Sequence, residues 1–158
     1  MSSEQSNVRI ERVFDAPIDD VWRMWTDPEL FKKWYGPKGM SIQVADMDLR
    51  VGGTRKICME MTSPERTVSM WFIGVYKEVN APFRLVYTES MCEEDGTLIP
   101  PQALGMPKGH PDVTEVIIEL SKTDDKTRMT MIHVGVPGGS AAEGGWNQAF
   151  DKLAKLMG

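Results

Sequence analysis

Hydrophobic positions along this chain switch between two periods, and the switches mark out its elements. From Val8 to Phe14 the order is alternating but imperfect, with Val8, Ile10 and Arg12 set against Arg9, Glu11 and Val13, which predicts a strand. Ile18, Val21, Trp22 and Trp25 then recur at helical spacing and predict a helix over Ile18–Thr26, with Asp15 as its cap and Pro17 in its first turn. Asp27-Pro28 ends that helix and opens a short second one over Glu29–Trp34. After the turn Gly36-Pro37-Lys38-Gly39 the pattern returns to alternation.

Strands are predicted over Met40–Leu49, Thr54–Met61, Arg66–Glu78, Phe83–Cys92, Val113–Leu120 and Thr127–Val136. Turn residues separate most of them: Gly52-Gly53, Thr62-Ser63-Pro64-Glu65, Asn80-Ala81-Pro82 and Thr123-Asp124-Asp125-Lys126. Alternation places Arg55, Ile57, Met59 and Met61 on one face, as it does Leu85, Tyr87 and Glu89, and again Thr114, Val116, Ile118 and Leu120. Between Glu93 and Asp112 the rhythm breaks into a long loop rich in Gly and Pro, and loops of this length in compact domains often serve as lids or binding loops. The helical period returns at Gly144–Met157, where Trp146, Phe150, Leu153 and Met157 form one stripe and Gln148, Asp151, Lys152 and Lys155 fall mostly opposite. Strand, two short helices, a run of hairpin-spaced strands and one long helix define an α+β protein with an antiparallel sheet and its helices on one face. A closing helix with a large aromatic at its start must lie on something apolar, and a helix across a curved sheet can enclose a pocket.

With 158 residues, 41% hydrophobic and 26% charged, the chain is sized for a single globular domain, expected over 8–158 behind a disordered tail of residues 1–7. The formal net charge of −5 argues against a nucleic-acid partner. The polar N-terminus lacks the apolar core of a signal sequence and no run is long enough to span a bilayer, so a cytoplasmic protein without membrane contact is expected. In that compartment Cys58 and Cys92 are expected to be two reduced thiols. Twelve methionines supply flexible, polarizable filling, suited equally to a core and to an adaptable binding surface.

Candidate chemistry is sparse. The two histidines, His110 and His133, and the two cysteines show no metal-ligand spacing, and neither a cofactor nor a metal is expected. No nucleophile elbow or P-loop occurs. His133 continues the parity of Met129 and Met131, and Glu89 that of Leu85 and Tyr87, so both are expected to face the interior. There they could exchange protons or anchor a ligand. Arg55 is also expected inward, where its charge needs a partner; Glu89 is one candidate and a ligand's acid group another.

Several blocks also resemble one family in the correct order. Phe14-Asp15-Ala16-Pro17-Ile18-Asp19-Asp20-Val21-Trp22, Trp25-Thr26-Asp27-Pro28-Glu29 and Trp34-Tyr35-Gly36-Pro37 look like the opening of the activator-of-heat-shock-protein-ATPase homologue (AHSA-like) domain, within the START-like, or SRPBCC, superfamily. Gly74-Val75-Tyr76, Pro82–Thr88, Thr127–Met131 and Gly144-Gly145-Trp146 resemble later blocks, so the likeness runs over about residues 8–157. The resemblance implies the helix-grip fold: a curved antiparallel sheet of six or seven strands around a long C-terminal helix, with a cavity between them. It carries no shared catalytic triad, and fold alone does not assign function.

Three readings follow. In the first, the domain binds a small apolar or amphipathic molecule, lined by Met59, Phe72, Tyr76, Tyr87, Glu89, Met129, Met131, His133, Trp146 and Phe150, with the loop Glu93–Asp112 over the mouth. In the second it is a cyclase- or dehydratase-like enzyme with His133 and Glu89 as acid and base. In the third, implied by the resemblance, it contacts a heat-shock chaperone and has a role in stress response. Whether it forms a homodimer is left open.

Overall fold

The structure is a computed structural model that describes residues 7–105 and 111–157. Seven strands form one antiparallel sheet in the order β1-β7-β6-β5-β4-β3-β2. They are β1 (Val8–Phe14), β2 (Met40–Met47), β3 (Thr54–Thr62), β4 (Thr67–Asn80), β5 (Arg84–Cys92), β6 (Thr114–Thr123) and β7 (Lys126–Val134). From β2 to β7 each strand pairs with its sequence neighbour, as short connections favour, while β1 closes on β7. Helices α1 (Ile18–Thr26) and α2 (Pro28–Phe31) follow β1, and α3 (Ala141–Met157) comes last and is gripped by the curled sheet.

The parity expected for the inner face is observed. Val116, Ile118 and Leu120 of β6 and Met129, Met131 and His133 of β7 are all buried. Val8, Ile10 and Arg12 of β1 stand opposite His133, Met131 and Met129. The imperfect alternation of β1 has its reason in Arg12, which shares the inner parity and donates to the Asn147 carbonyl and side chain and to Asp151 of α3. Phe150 and Leu153 are fully buried in the core together with Trp25, Trp34, Phe31 and Met129. Trp25 meets Trp34 edge-on at 4.6 Å between ring centroids, and the indole N–H of Trp34 donates to the Met24 carbonyl over 2.9 Å.

Several boundaries differ from expectation. Asp15 does not cap α1: Pro17, in extended conformation, is the N-cap, no side chain bonds the free N–H groups, and Asp15 lies two residues too early. Asp27 does cap α2, accepting from the backbone N–H of Glu29 and Leu30, but the helix stops at Phe31 and Trp34 lies in the turns beyond. Helix α3 begins three residues before Gly144, where Glu143 reaches back to accept from the Gly139 N–H. Met61 has the inner parity of β3 but is exposed, because it lies beside the Ser63–Arg66 turn at the hairpin end. Of the expected tail, residues 1–6 lie outside the described residues, and the Asn7 side chain accepts from the Gly135 N–H.

One irregularity shapes the interior. The β4–β5 ladder keeps one register from Trp71↔Cys92 through Ile73↔Ser90 to Tyr76↔Tyr87, with Gly74 and Val75 unpaired within it, and the register shifts between Tyr76 and Glu78. A Cβ on Gly74 would sit 1.8 Å from the Thr88 carbonyl oxygen, so only glycine permits this approach. The Thr88 hydroxyl accepts the Val75 N–H in place of a ladder partner. Glu89 follows directly.

Candidate functional site

A cavity of about 630 Å³ lies between the sheet and the first half of α3. That volume is within the range of small-molecule sites, and the lining is mostly apolar. Met40 (β2), Met59 (β3), Met70 and Phe72 (β4) and Met91 (β5) form one side, so much of the wall is flexible thioether. Trp146 and Ala149 come from α3, Tyr35 from the turns after α2, and Pro101 and Pro111 from the long loop. In that loop Glu93–Thr97 is a turn, Leu98 bridges to Cys92, and a 3-10 turn spans Pro101–Leu104. The central part of the expected lid, 106–110, including His110, lies outside the described residues.

The residues singled out from sequence divide into two groups. Met59, Phe72, Glu89, His133 and Trp146 line the cavity. Tyr76, Tyr87, Met129, Met131 and Phe150 do not: each is no more than 1% exposed and packs in the core beyond the cavity wall. Alternation reports which face a side chain takes, and both groups share that face; how far along the strand the packing closes is set by partners distant in sequence.

Two hydrogen-bond relays run through the wall and meet at residue 89. In the first, the indole N–H of Trp146 donates to His133 Nδ1 over 3.0 Å. An indole can only donate, so Nδ1 is the acceptor and the ring's proton is on Nε2. Nε2 lies 2.9 Å from the Thr114 hydroxyl, which donates onward to the Glu89 carbonyl over 3.3 Å. In the second, the hydroxyls of Tyr87 and Tyr35 are 2.8 Å apart, and Tyr35 donates to Glu89 Oε2 over 3.3 Å. With the Tyr35 proton committed to the carboxylate, Tyr87 is the donor to Tyr35.

Arg55 stands behind Glu89, as the parity of β3 implied. It is 2% exposed, its Nη1 is 3.7 Å from Glu89 Oε2, and its guanidinium carbon lies 3.7 Å from the Tyr87 ring centroid. Phe31, Tyr35 and Tyr76 complete an aromatic surround at 5.4–6.0 Å. Burial opposes the guanidinium charge, but the tyrosines and Glu89 more than offset it and hold Arg55 protonated. Burial raises the Glu89 carboxyl above its ordinary value; Arg55 and the Tyr35 hydroxyl pull the other way without cancelling the rise. Burial likewise raises the Tyr35 and Tyr87 phenols, which stay protonated donors.

Sequence reasoning passed over Tyr35 and Ser140. Tyr35 sits in turns where no period marks a face. Ser140, before α3, has a buried hydroxyl with no hydrogen-bond partner among the described residues. The pattern Ser140-x-x-Glu143 resembles a capping box and hinted at the helix start. Cys58 and Cys92 are free thiols, both buried, and each pairs across from Trp71 on opposite sides of β4. Among the described residues no group of three or more His, Cys, Asp or Glu side chains is placed to hold a metal ion, and no helix is long and apolar enough to cross a membrane.

An antiparallel sheet curled about a C-terminal helix, with a cavity between them, defines a helix-grip domain of START-like type. Its family is given by a profile described as "Activator of Hsp90 ATPase homolog 1-like protein", which matches residues 15–158; the chain belongs to this family. Solved structures agree. A Nitrosomonas europaea protein is 27% identical, with a TM-score of 0.75 over 99% of this chain and 96% of its own. A Chromobacterium violaceum protein is 25% identical, with a TM-score of 0.78 over 96% of each chain. The AHSA1 protein of Silicibacter pomeroyi, at 18% identity and a TM-score of 0.69 over 95% of this chain and 96% of its own, shares the fold. Among curated protein sequences none matches.

Proposed function

We propose that this domain binds a small apolar or amphipathic molecule in the cavity between the sheet and α3, with Met59, Phe72, Glu89, His133 and Trp146 among its contacts. The observation that carries this reading is the wall itself: a methionine- and aromatic-lined space of about 630 Å³ whose polar groups are held in fixed relays. Such a wall offers a ligand fixed polar groups within an adaptable apolar surface. His133 supports binding over proton transfer. One ring nitrogen accepts from Trp146 and the other faces Thr114, so the ring is secured as part of the wall.

Native mass spectrometry of the purified protein, followed by denaturing extraction, tests the reading. A stoichiometric small molecule that leaves on denaturation is the expected result. Absence of any adduct, together with no saturable binding of apolar probes by tryptophan fluorescence, would overturn it. The family description favours a second reading, contact with a heat-shock chaperone. Capture of purified Hsp90 by the immobilised domain, with acceleration of its ATPase, would establish that role.

A further inference from the structure

The two relays have a direction, and it decides what the cavity can recognise. Trp146, His133, Thr114, Tyr87 and Tyr35 each donate to a neighbouring protein atom, and the chains end at the Glu89 carbonyl and at Glu89 Oε2. The donors of the two relays are therefore spent inside the protein, while Ser140 in the lining keeps a hydroxyl with no hydrogen-bond partner among the described residues. Glu89 Oε1 is different: no hydrogen bond reaches it from the described residues, and Glu89 lines the cavity with 14% of its side chain exposed. A carboxylate oxygen in an apolar enclosure accepts strongly. Its charge is already balanced by Arg55, which is buried against Tyr87 and lies outside the cavity lining.

The geometry points to Glu89 Oε1 as the anchor for a neutral hydroxyl, phenolic or alcoholic, on an otherwise apolar ligand. This deepens the binding reading above and rests on it. A hydroxyl supplies the missing donor and leaves the pair with Arg55 neutral. An ammonium would leave a net positive charge in the enclosure. A carboxylate would set two anions together, and an ether or ketone has no proton to give. The ligand class is thus an alcohol or phenol with a hydrophobic body, as opposed to a fatty acid, an amine or a bare hydrocarbon.

The test uses one apolar body with four ends: 4-butylphenol, 4-butylanisole, butylbenzene and 4-butylbenzoate, each titrated into the wild-type protein by calorimetry. The phenol is expected to bind about tenfold or more tightly than the anisole, from one hydrogen bond to a charged acceptor, and the benzoate most weakly. In the double variant Arg55→Met, Glu89→Gln, which removes both charges together, the phenol's advantage is expected to shrink to about threefold or less, because a neutral acceptor remains. In Ser140→Ala it should persist. Equal binding of all four compounds would overturn the hydroxyl anchor and leave the cavity reading standing. Tighter binding of the benzoate or anisole would do the same, as would a phenol preference lost in Ser140→Ala. No saturable binding of any of them would remove both. The wild-type series decides the matter even if the double variant fails to fold.

Discussion

Two depths of the same interior behave differently. On β5, Tyr87 is sealed in the core and Glu89, two residues on, lines the cavity. The same step separates Met131 from His133 on β7 and Ile57 from Met59 on β3, and one helical turn separates Phe150 from Trp146 on α3. Members of each pair share a face. In the deeper layer, close-packed rings and methionines fill the space; in the shallower one the wall is held by hydrogen bonds and the centre is open. The lesson is that packing makes the first layer and polar fixation the second, so equal substitutions in the two should have unequal effects.

The sharpest test compares Phe150→Ala with Trp146→Ala. Phe150 is fully buried among Trp25, Trp34 and Trp146, and its truncation should cost about 3–5 kcal/mol in urea unfolding. Trp146 borders existing space, so its truncation should cost about 1–3 kcal/mol, mainly the lost bond to His133, while abolishing ligand affinity. Equal losses of stability would erase the distinction between the layers. Gly74→Ala probes the seam between them. Its Cβ collides with a backbone carbonyl and not with a movable side chain, and about 3 kcal/mol of destabilisation is expected, with weaker ligand binding as Glu89 shifts.

A finer comparison is Ile57→Ala against Met59→Ala. The first opens a new void at a fully buried site and should cost about 3 kcal/mol; the second enlarges an existing space and should cost about 2 kcal/mol or less, although each removes three heavy atoms. Smaller still is the pH dependence of Glu89. Its folded carboxyl holds its proton more tightly than the unfolded one, so stability should fall as pH rises from the ordinary value of 4.5 to the raised folded value, then level off. Urea melts of wild type and Glu89→Gln from pH 4 to 7 isolate this contribution, and the wild-type advantage is expected to shrink as pH rises. A wild-type advantage that grows with pH would show that Arg55 outweighs burial. The smallest effect concerns the thiols: burial raises both, and two strand spacings of about 4.8 Å exceed the roughly 7 Å that a bridge allows. Slow alkylation of the native protein and no bridge on mild oxidation are expected, read by mass spectrometry.

Much of this architecture was legible in the sequence because a period of two residues or of one helical turn is a local property. The inner faces of β6 and β7, the burial of Phe150 and Leu153, and the inward parity of Arg55 and Glu89 all follow from it, while the choice of Glu89 as the partner of Arg55 over a ligand's acid group does not. What was not legible depended on contacts distant along the chain. Parity could not separate Tyr76 and Tyr87 from Phe72 and Glu89, since depth is fixed by where α3 and the turns after α2 close over the sheet. Tyr35 escaped notice because turns carry no period. The relays were invisible for the same reason, their hydrogen bonds joining residues 13, 19 and 54 positions apart.

The order of elements has a consequence for how the protein is made. Helix α3, which supplies Trp146 to the wall and Phe150 to the core, is synthesised after all seven strands. Until it emerges from the ribosome, the concave side of the sheet is covered only by α1, α2 and the turns after α2, and the cavity lacks the wall that Trp146 and Ala149 supply. The cavity is therefore complete only once α3 has docked, and before that the nascent sheet passes through an interval in which part of its apolar face is open to whatever else is in solution.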